Sequence, residues 1–174
     1  REFKFKKNVK IFDKINNHFR NYIKKISKPE NTIFISLGSR LIFKKESIQK
    51  IFNNNLVNFH CTRLPYDAGG GGHSWKIMRQ DRIDSQLVHL IDDGIDTGDL
   101  LDYETSVIPH QFQLPLEIEN FRVKNFLKFY KKFLENLLKG KKFLKKKQND
   151  FIGRYNPRLN SEINGWINWN YDSF

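Results

Sequence analysis

The run Leu56-Val57-Asn58-Phe59-His60-Cys61 is apolar apart from Asn58 and His60, which stand two positions apart. Strand side chains alternate between faces with a period of two, so a buried strand here delivers an amide and an imidazole onto one common face. Thr62-Arg63-Leu64-Pro65 then takes the chain into a loop. A second apolar run, 85–91, ends in Asp92-Asp93-Gly94-Ile95-Asp96-Thr97-Gly98-Asp99, an acidic segment bounded by glycines. An amide, an imidazole and a carboxylate at strand ends are the parts of an acyl-transfer site. An asparagine can donate to a developing oxyanion, a histidine can move a proton, and an aspartate such as Asp96 can hold the histidine or a water in register.

The rest of the chain supplies a frame for these two segments. Val9, Phe12, Ile15, Phe19, Tyr22, Ile23 and Ile26 recur at helical spacing and predict a helix over 8–27, ended by Pro29. Residues 32–37 read as a short buried strand, followed by the turn Gly38-Ser39-Arg40 and a helix over 44–53. After the glycine-rich loop 67–72 come a helix over 73–80, the strand 85–91, an extended segment 97–108 and a long helix 116–138 stopped at Gly140. Strands alternating with helices predict an α/β class with an open, mostly parallel, Rossmann-like sheet, right-handed crossovers and a site at the carboxyl ends of the strands. One catalytic domain over 1–148 and an irregular carboxy-terminal extension over 149–174, packed on it, are expected.

Composition sets outer limits. At 174 residues, 39% hydrophobic and 14% aromatic, the chain is long and apolar enough for a packed core. No apolar run is long enough for a membrane span, and Arg1 to Lys10 carries no apolar core of a signal peptide. A single cysteine, Cys61, forbids an internal disulfide and makes a reducing cytoplasm the expected compartment. The net charge of +12 is spread along helical stretches, with a local bias only at 139–147, and reads as a solvated face. A basic nucleic-acid-binding domain is the competing class, with Trp166, Trp169 and Tyr171 as stacking platforms.

Other chemistries fit less well. The acidic loop lacks the alternating oxygen ligands and terminal glutamate of an EF-hand, so no metal is expected. The four glycines 69–72 are not followed by Lys-Ser/Thr and do not make G-x-G-x-x-G, so neither a P-loop nor a dinucleotide fingerprint is present. They fit a backbone that passes close to a ligand. His18, His73, His89 and His110 show no metal-ligand spacing and are expected to be structural, with His89 in the strand that leads to Asp96.

Taken together, N-x-H-x-T-x-L-P from Asn58 and D-x-G-x-D-x-G from Asp92 resemble the catalytic domain of the folate-dependent formyltransferases. The likeness runs over about residues 30–108 and takes in the glycine-rich stretch leading to a helix with Trp75, and Ser36-Leu37-Gly38-Ser39-Arg40-Leu41-Ile42. It implies transfer of a formyl group from N10-formyltetrahydrofolate to an amine, with Asn58, His60 and Asp96 catalytic. Leu37, Gly38, Arg40, Leu41, Ile42, Ile91, Asp92 and Gly94 would hold the cofactor, and Thr62, Gly70 and Gly71 the substrate. The acceptor it implies is a small amine, leaning to a nucleotide-linked amino sugar, with methionyl-tRNA as the alternative. A tRNA enzyme of this kind normally adds a carboxy-terminal domain, for which the remaining residues leave no room. Thr62 stands where the family commonly has serine and keeps the hydroxyl. Only about 31 residues precede the first clear strand, where the family has further strands, so the domain is expected to be shortened or trimmed there.

Overall fold

Asn16, not residue 8, starts the first helix. Its side-chain oxygen accepts from the Phe19 N–H at 3.0 Å, a cap that satisfies one of the free donors of a first turn. The computed structural model describes residues 10, 12, 14–39, 41–69, 72–149 and 152–157, and of His73 the backbone. In chain order these form α1 (Asn17–Ile26), a 3-10 turn at Pro29–Asn31, β1 (Phe34–Ser36), α2 (Lys45–Lys50), β2 (Leu56–His60), β3 (Ala68–Gly69) and α3 (Gly72–Met78). There follow β4 (Ile83–Leu90), β5 (Leu100–Val107), α4 (Pro115–Leu138) and β6 (Tyr155–Asn156). In α4, proline opens the helix, and the Glu117 carboxylate accepts from the N–H groups of Gln113 and Leu114 at 2.9 Å each. Gly140, at φ +76°, ends it.

The α/β class expected from the alternation holds: a central sheet of order β1-β2-β4-β5 is flanked by helices. Its strand directions differ from the expectation of a mostly parallel sheet. β1 and β2 are parallel, whereas β4 runs antiparallel to both β2 and β5. The excursion between β2 and β4 leaves and returns at the same end of the sheet, and a contact joins its two feet. Arg63, just past β2, places Nη2 2.8 Å from the Asp81 carboxylate, just before β4. With both feet at the His60 end, β4 runs in the opposite direction to β2. A second, two-stranded sheet pairs β3 with β6 in parallel, so Tyr155 and Asn156 of the carboxy-terminal extension form a short strand.

Period-two alternation divides β2 between two layers. Val57 and Phe59 face α4 and share a core with Val88, Phe129 and Phe133. Leu56, on the other face, packs with Ile23, Ile51 and Phe52 from the α1 and α2 side. Asn58 and His60 share the Leu56 face, so burying Phe59 under α4 is what turns both polar side chains away from that core. The Phe59 ring sits edge-on to Tyr130 and Phe133 at centroid distances of 4.8 and 5.2 Å. Truncating a buried phenylalanine typically costs about 3–5 kcal/mol. Phe59→Ala is therefore expected to shift the urea unfolding midpoint by an equivalent of that size, whereas a loss under about 1 kcal/mol would place the ring outside the core.

Candidate active site

The antiparallel pairing puts Asn58 directly opposite His89, on the same face as His60. Asn58 Nδ2 lies 3.2 Å from His89 Nε2 and 3.4 Å from His60 Nδ1. Asp96 arrives from the loop after β4, with its Oδ1 3.6 Å from His60 Nδ1 and 3.8 Å from His89 Nε2. The three residues read from the sequence as catalytic are thus brought together, and a fourth, His89, joins them. An alternating pattern cannot reveal His89 while β4 is taken as parallel. The antiparallel register places it against Asn58.

Reaching this spot requires the 91–99 loop to fold back over the sheet, because β4 ends beside Val57, at the far end of β2 from His60. Asp96 itself takes a left-handed backbone conformation, φ +57°, which aspartate tolerates better than most residues. Asp92 Oδ1 accepts from the Gly94 N–H at 3.1 Å and the Thr97 hydroxyl at 2.7 Å, closing the turn. Gln148 Nε2 donates to the carbonyls of Asp96 and Gly98 at 2.8 and 2.7 Å, so a residue far along the chain clamps the loop. Gly98 passes so close to the Leu90 carbonyl that a Cβ would overlap it. Gly98→Ala is expected to displace the loop and cut turnover by at least the roughly 100-fold typical of a 1 Å misplacement, with far-UV circular dichroism unchanged. Wild-type turnover in this variant would show that the Asp96 position is not held from there.

A cleft of about 910 Å³ opens over this cluster. Every described residue expected to hold the cofactor lines it: Leu37, Gly38, Leu41, Ile42, Ile91, Asp92 and Gly94. Leu37, Leu41, Ile42 and Ile95 are each more than half exposed, an apolar wall of a kind that suits a flat ring. Gly38 turns the chain there at φ +59°. Thr62 also lines the cleft, but its hydroxyl donates to the Asp67 carbonyl at 2.6 Å and closes the loop after β2. Gly69 borders the cleft, whereas Arg40, Gly70 and Gly71 lie outside the described residues, as do Trp166, Trp169 and Tyr171. From α4, Glu119, Arg122 and Phe126 reach the same space, and Arg122 Nε is 3.2 Å from the buried Asp84 carboxylate.

Charge in the site is governed by burial. Desolvation pushes the His60 pKa below its ordinary value, and the nearby Asp96 carboxylate, which pulls the other way, does not reverse it. His89 is lowered as well, chiefly by burial. The resting imidazoles are therefore neutral, burial outweighing the pull of Asp96 toward a charged His60. Burial raises the Cys61 thiol to about 11, which keeps it protonated and unreactive despite its place on the cleft. His60, His89 and Asp96 each offer one ligand atom within 4.8 Å of the others, a set a transition metal can use. The Asn58 amide nitrogen approaches both imidazole nitrogens within 3.4 Å and supplies them with a donor instead.

The fold and this site define an α/β domain of the formyltransferase kind. No protein-family profile matches the chain. In sequence it is similar to a methionyl-tRNA formyltransferase from Prochlorococcus marinus, at 32% identity over 149 residues that make up 84% of this chain and 43% of that one. A methionyl-tRNA formyltransferase from Caldanaerobacter subterraneus is 26% identical over 97% of this chain and 54% of its own. The chain thus spans about half the length of these curated relatives. In structure it resembles an N-formyltransferase from Helicobacter canadensis, solved with folinic acid and dTDP-3-aminofucose, with a TM-score of 0.66, 25% identity and 83% of this chain against 54% of that one. The likeness to the folate-dependent formyltransferases that the motifs imply is shown in both sequence and fold.

The buried neutral histidines have a thermodynamic signature. The unfolded chain binds more protons than the folded one between the ordinary histidine value of 6.5 and the depressed folded values. Stability is accordingly full above about pH 6.5 and falls as the pH drops below it. The urea midpoint is expected to decrease between pH 7 and pH 5, and to decrease less in His89→Gln. An equal decrease in both proteins would assign the effect to other groups.

Proposed function

We propose that the chain is the catalytic domain of an enzyme that transfers the formyl group of N10-formyltetrahydrofolate to an amine. The convergence of Asn58, His60 and Asp96 beneath an open cleft with an apolar wall carries this reading. The pterin would lie against Leu37, Leu41 and Ile42 on one side and the Ile91–Gly94 loop on the other. The amine attacks the formyl carbon, and a tetrahedral oxyanion forms. Asn58 donates to that oxygen, an interaction whose loss typically costs about 3 kcal/mol of transition-state stabilisation. His60, neutral at rest, accepts a proton from the attacking nitrogen; as the oxyanion collapses the bond from the formyl carbon to N10 breaks, and N10 takes up that proton and leaves as tetrahydrofolate. Asp96, 3.6 Å from Nδ1, stabilises the imidazolium formed in that step.

For the acceptor, a nucleotide-linked amino sugar is the preferred reading. The structural likeness to an enzyme solved with dTDP-3-aminofucose supports it. Methionyl-tRNA is the second reading, favoured by the names of the sequence relatives. A cytoplasmic location goes with either, in keeping with the single free cysteine. No helix among the described residues is long and apolar enough to cross a membrane.

Two measurements test the proposal. Folinic acid at 100 times its Kd is expected to stabilise the protein by about 2.7 kcal/mol, read as a rise in melting temperature. Asn58→Ala, His60→Ala and Asp96→Ala are each expected to remain folded and lose tetrahydrofolate release by about 10²-fold or more in the presence of the acceptor. No thermal shift with folinic acid would rule the reading out, and full turnover in any one variant would remove that residue from the chemistry.

A further inference from the structure

His89 is buried, with 3% of its side chain exposed, and sequence reasoning assigns it no part in the chemistry. Its two ring nitrogens have distinct partners. Nδ1 lies 2.8 Å from the carbonyl oxygen of Leu90, and a carbonyl only accepts, so Nδ1 carries the proton. In a neutral ring Nε2 then holds a lone pair, and this atom faces the Asn58 amide at 3.2 Å. Only one orientation of the amide satisfies it. With nitrogen toward the ring, an N–H meets the lone pair; with the amide turned over, Oδ1 would face Nε2 acceptor to acceptor.

We propose that His89 is a positioning residue: held as the Nδ1–H tautomer by the Leu90 carbonyl, it fixes the Asn58 amide with its nitrogen inward. One Asn58 N–H is spent on His89. The second is left with the looser 3.4 Å approach to His60 Nδ1 and is the donor that a developing oxyanion recruits. Without His89 the amide is free to turn and present Oδ1, an acceptor, where negative charge develops. Burial of the ring, which disfavours its cationic form, keeps the Nε2 lone pair in place. The register of β2 and β4 makes the arrangement rigid, since Asn58 and His89 are direct cross-strand partners.

The part of this inference that concerns Asn58 as oxyanion donor rests on the proposed function, and the test separates the two. Ring nitrogen chemical shifts of His89 in the wild-type protein at neutral pH are expected to report a neutral Nδ1–H ring. One side-chain amide proton of Asn58 is expected to be protected from exchange, and this protection to vanish in His89→Leu. An Nε2–H ring, a charged ring, or an Asn58 amide unaffected by His89→Leu overturns the arrangement whatever the enzyme does. For turnover, His89→Leu is expected to lower kcat by about 10-fold or more with the KM for the formyl donor unchanged, short of the 10²–10³-fold cost of losing an oxyanion donor. His89→Gln, whose Oε1 can accept from Asn58, is expected to recover most of that loss. In an Asn58→Ala background His89→Leu is expected to cause no further fall. Equal losses for Leu and Gln, or an undiminished loss in the Asn58→Ala background, would reduce His89 to packing and overturn the role. A protein that transfers no formyl group would overturn the proposed function, and the ring and amide signals would still decide whether His89 holds Asn58.

Discussion

The pairing of Asn58 with His89 across β2 and β4 is the constraint on which the site depends. It follows from burial on the opposite face. Phe59 and Val88 are also cross-strand partners, and both are held beneath α4 in one apolar cluster. A slip of one residue would expose those two and send Asn58 and His89 into the core, where their polar groups would lose their partners. The hydrophobic effect therefore fixes polar geometry here without touching it. The strength of the aromatic packing around Phe59 becomes the precision with which an amide meets an imidazole.

Asp96 reaches the cluster by a different route, through loop chemistry rather than sheet register. The Asp92 carboxylate closes the turn, Gly98 lets the backbone pass the Leu90 carbonyl, and Gln148 clamps two carbonyls of the loop. Asp92 thus meets the cleft while its Oδ1 is engaged within the protein. Carboxylate and histidine end 3.6 Å apart, and the imidazole still stays neutral because burial outweighs the nearby charge. That balance suits a base. A ring left neutral by desolvation accepts a proton, and the carboxylate that fails to charge it at rest stabilises it once it is charged.

Much of this was legible in the sequence because it was local. Asn58 and His60 share a face by strand alternation alone, and Asp-x-Gly-x-Asp announces a loop by its own turn chemistry. The helix boundaries slipped where capping decides them: Asn16 starts α1 well inside the periodic run that predicted a longer helix. Strand direction was not legible, since it depends on the end of the sheet at which the chain re-enters after β3 and α3, which no periodicity encodes. His89 and Gln148 were missed for the same reason. Each acts through a partner on another element, and in the sequence each is one more polar residue in an ordinary setting.

Near Asp67, Tyr155 of β6 becomes part of the cleft. This carboxylate, only 5% exposed, lies 3.2 Å from Arg154 Nη2, 3.3 Å from Arg63 Nη2 and 3.8 Å from Lys76 Nζ. One buried charge thereby collects cations from the loop after β2, from α3 and from the approach to β6. Burying a carboxylate is costly unless it is paired, so these contacts have to form together, and removing one partner leaves the others with a charge to desolvate. Trp75 Nε1 donates to the Pro157 carbonyl and Arg79 Nη1 to Asn156 Oδ1, both at 2.8 Å, which fastens β6 to α3 as well. Gly69, at φ +94°, approaches the Asn156 backbone too closely to carry a Cβ. Tyr155 and Gly69 then line the cleft that Asn58 and His60 open into. Tyr155, in the described stretch 152–157, is in this respect a wall of the site, fastened there by polar contacts, whereas the sheet beneath is held by apolar packing.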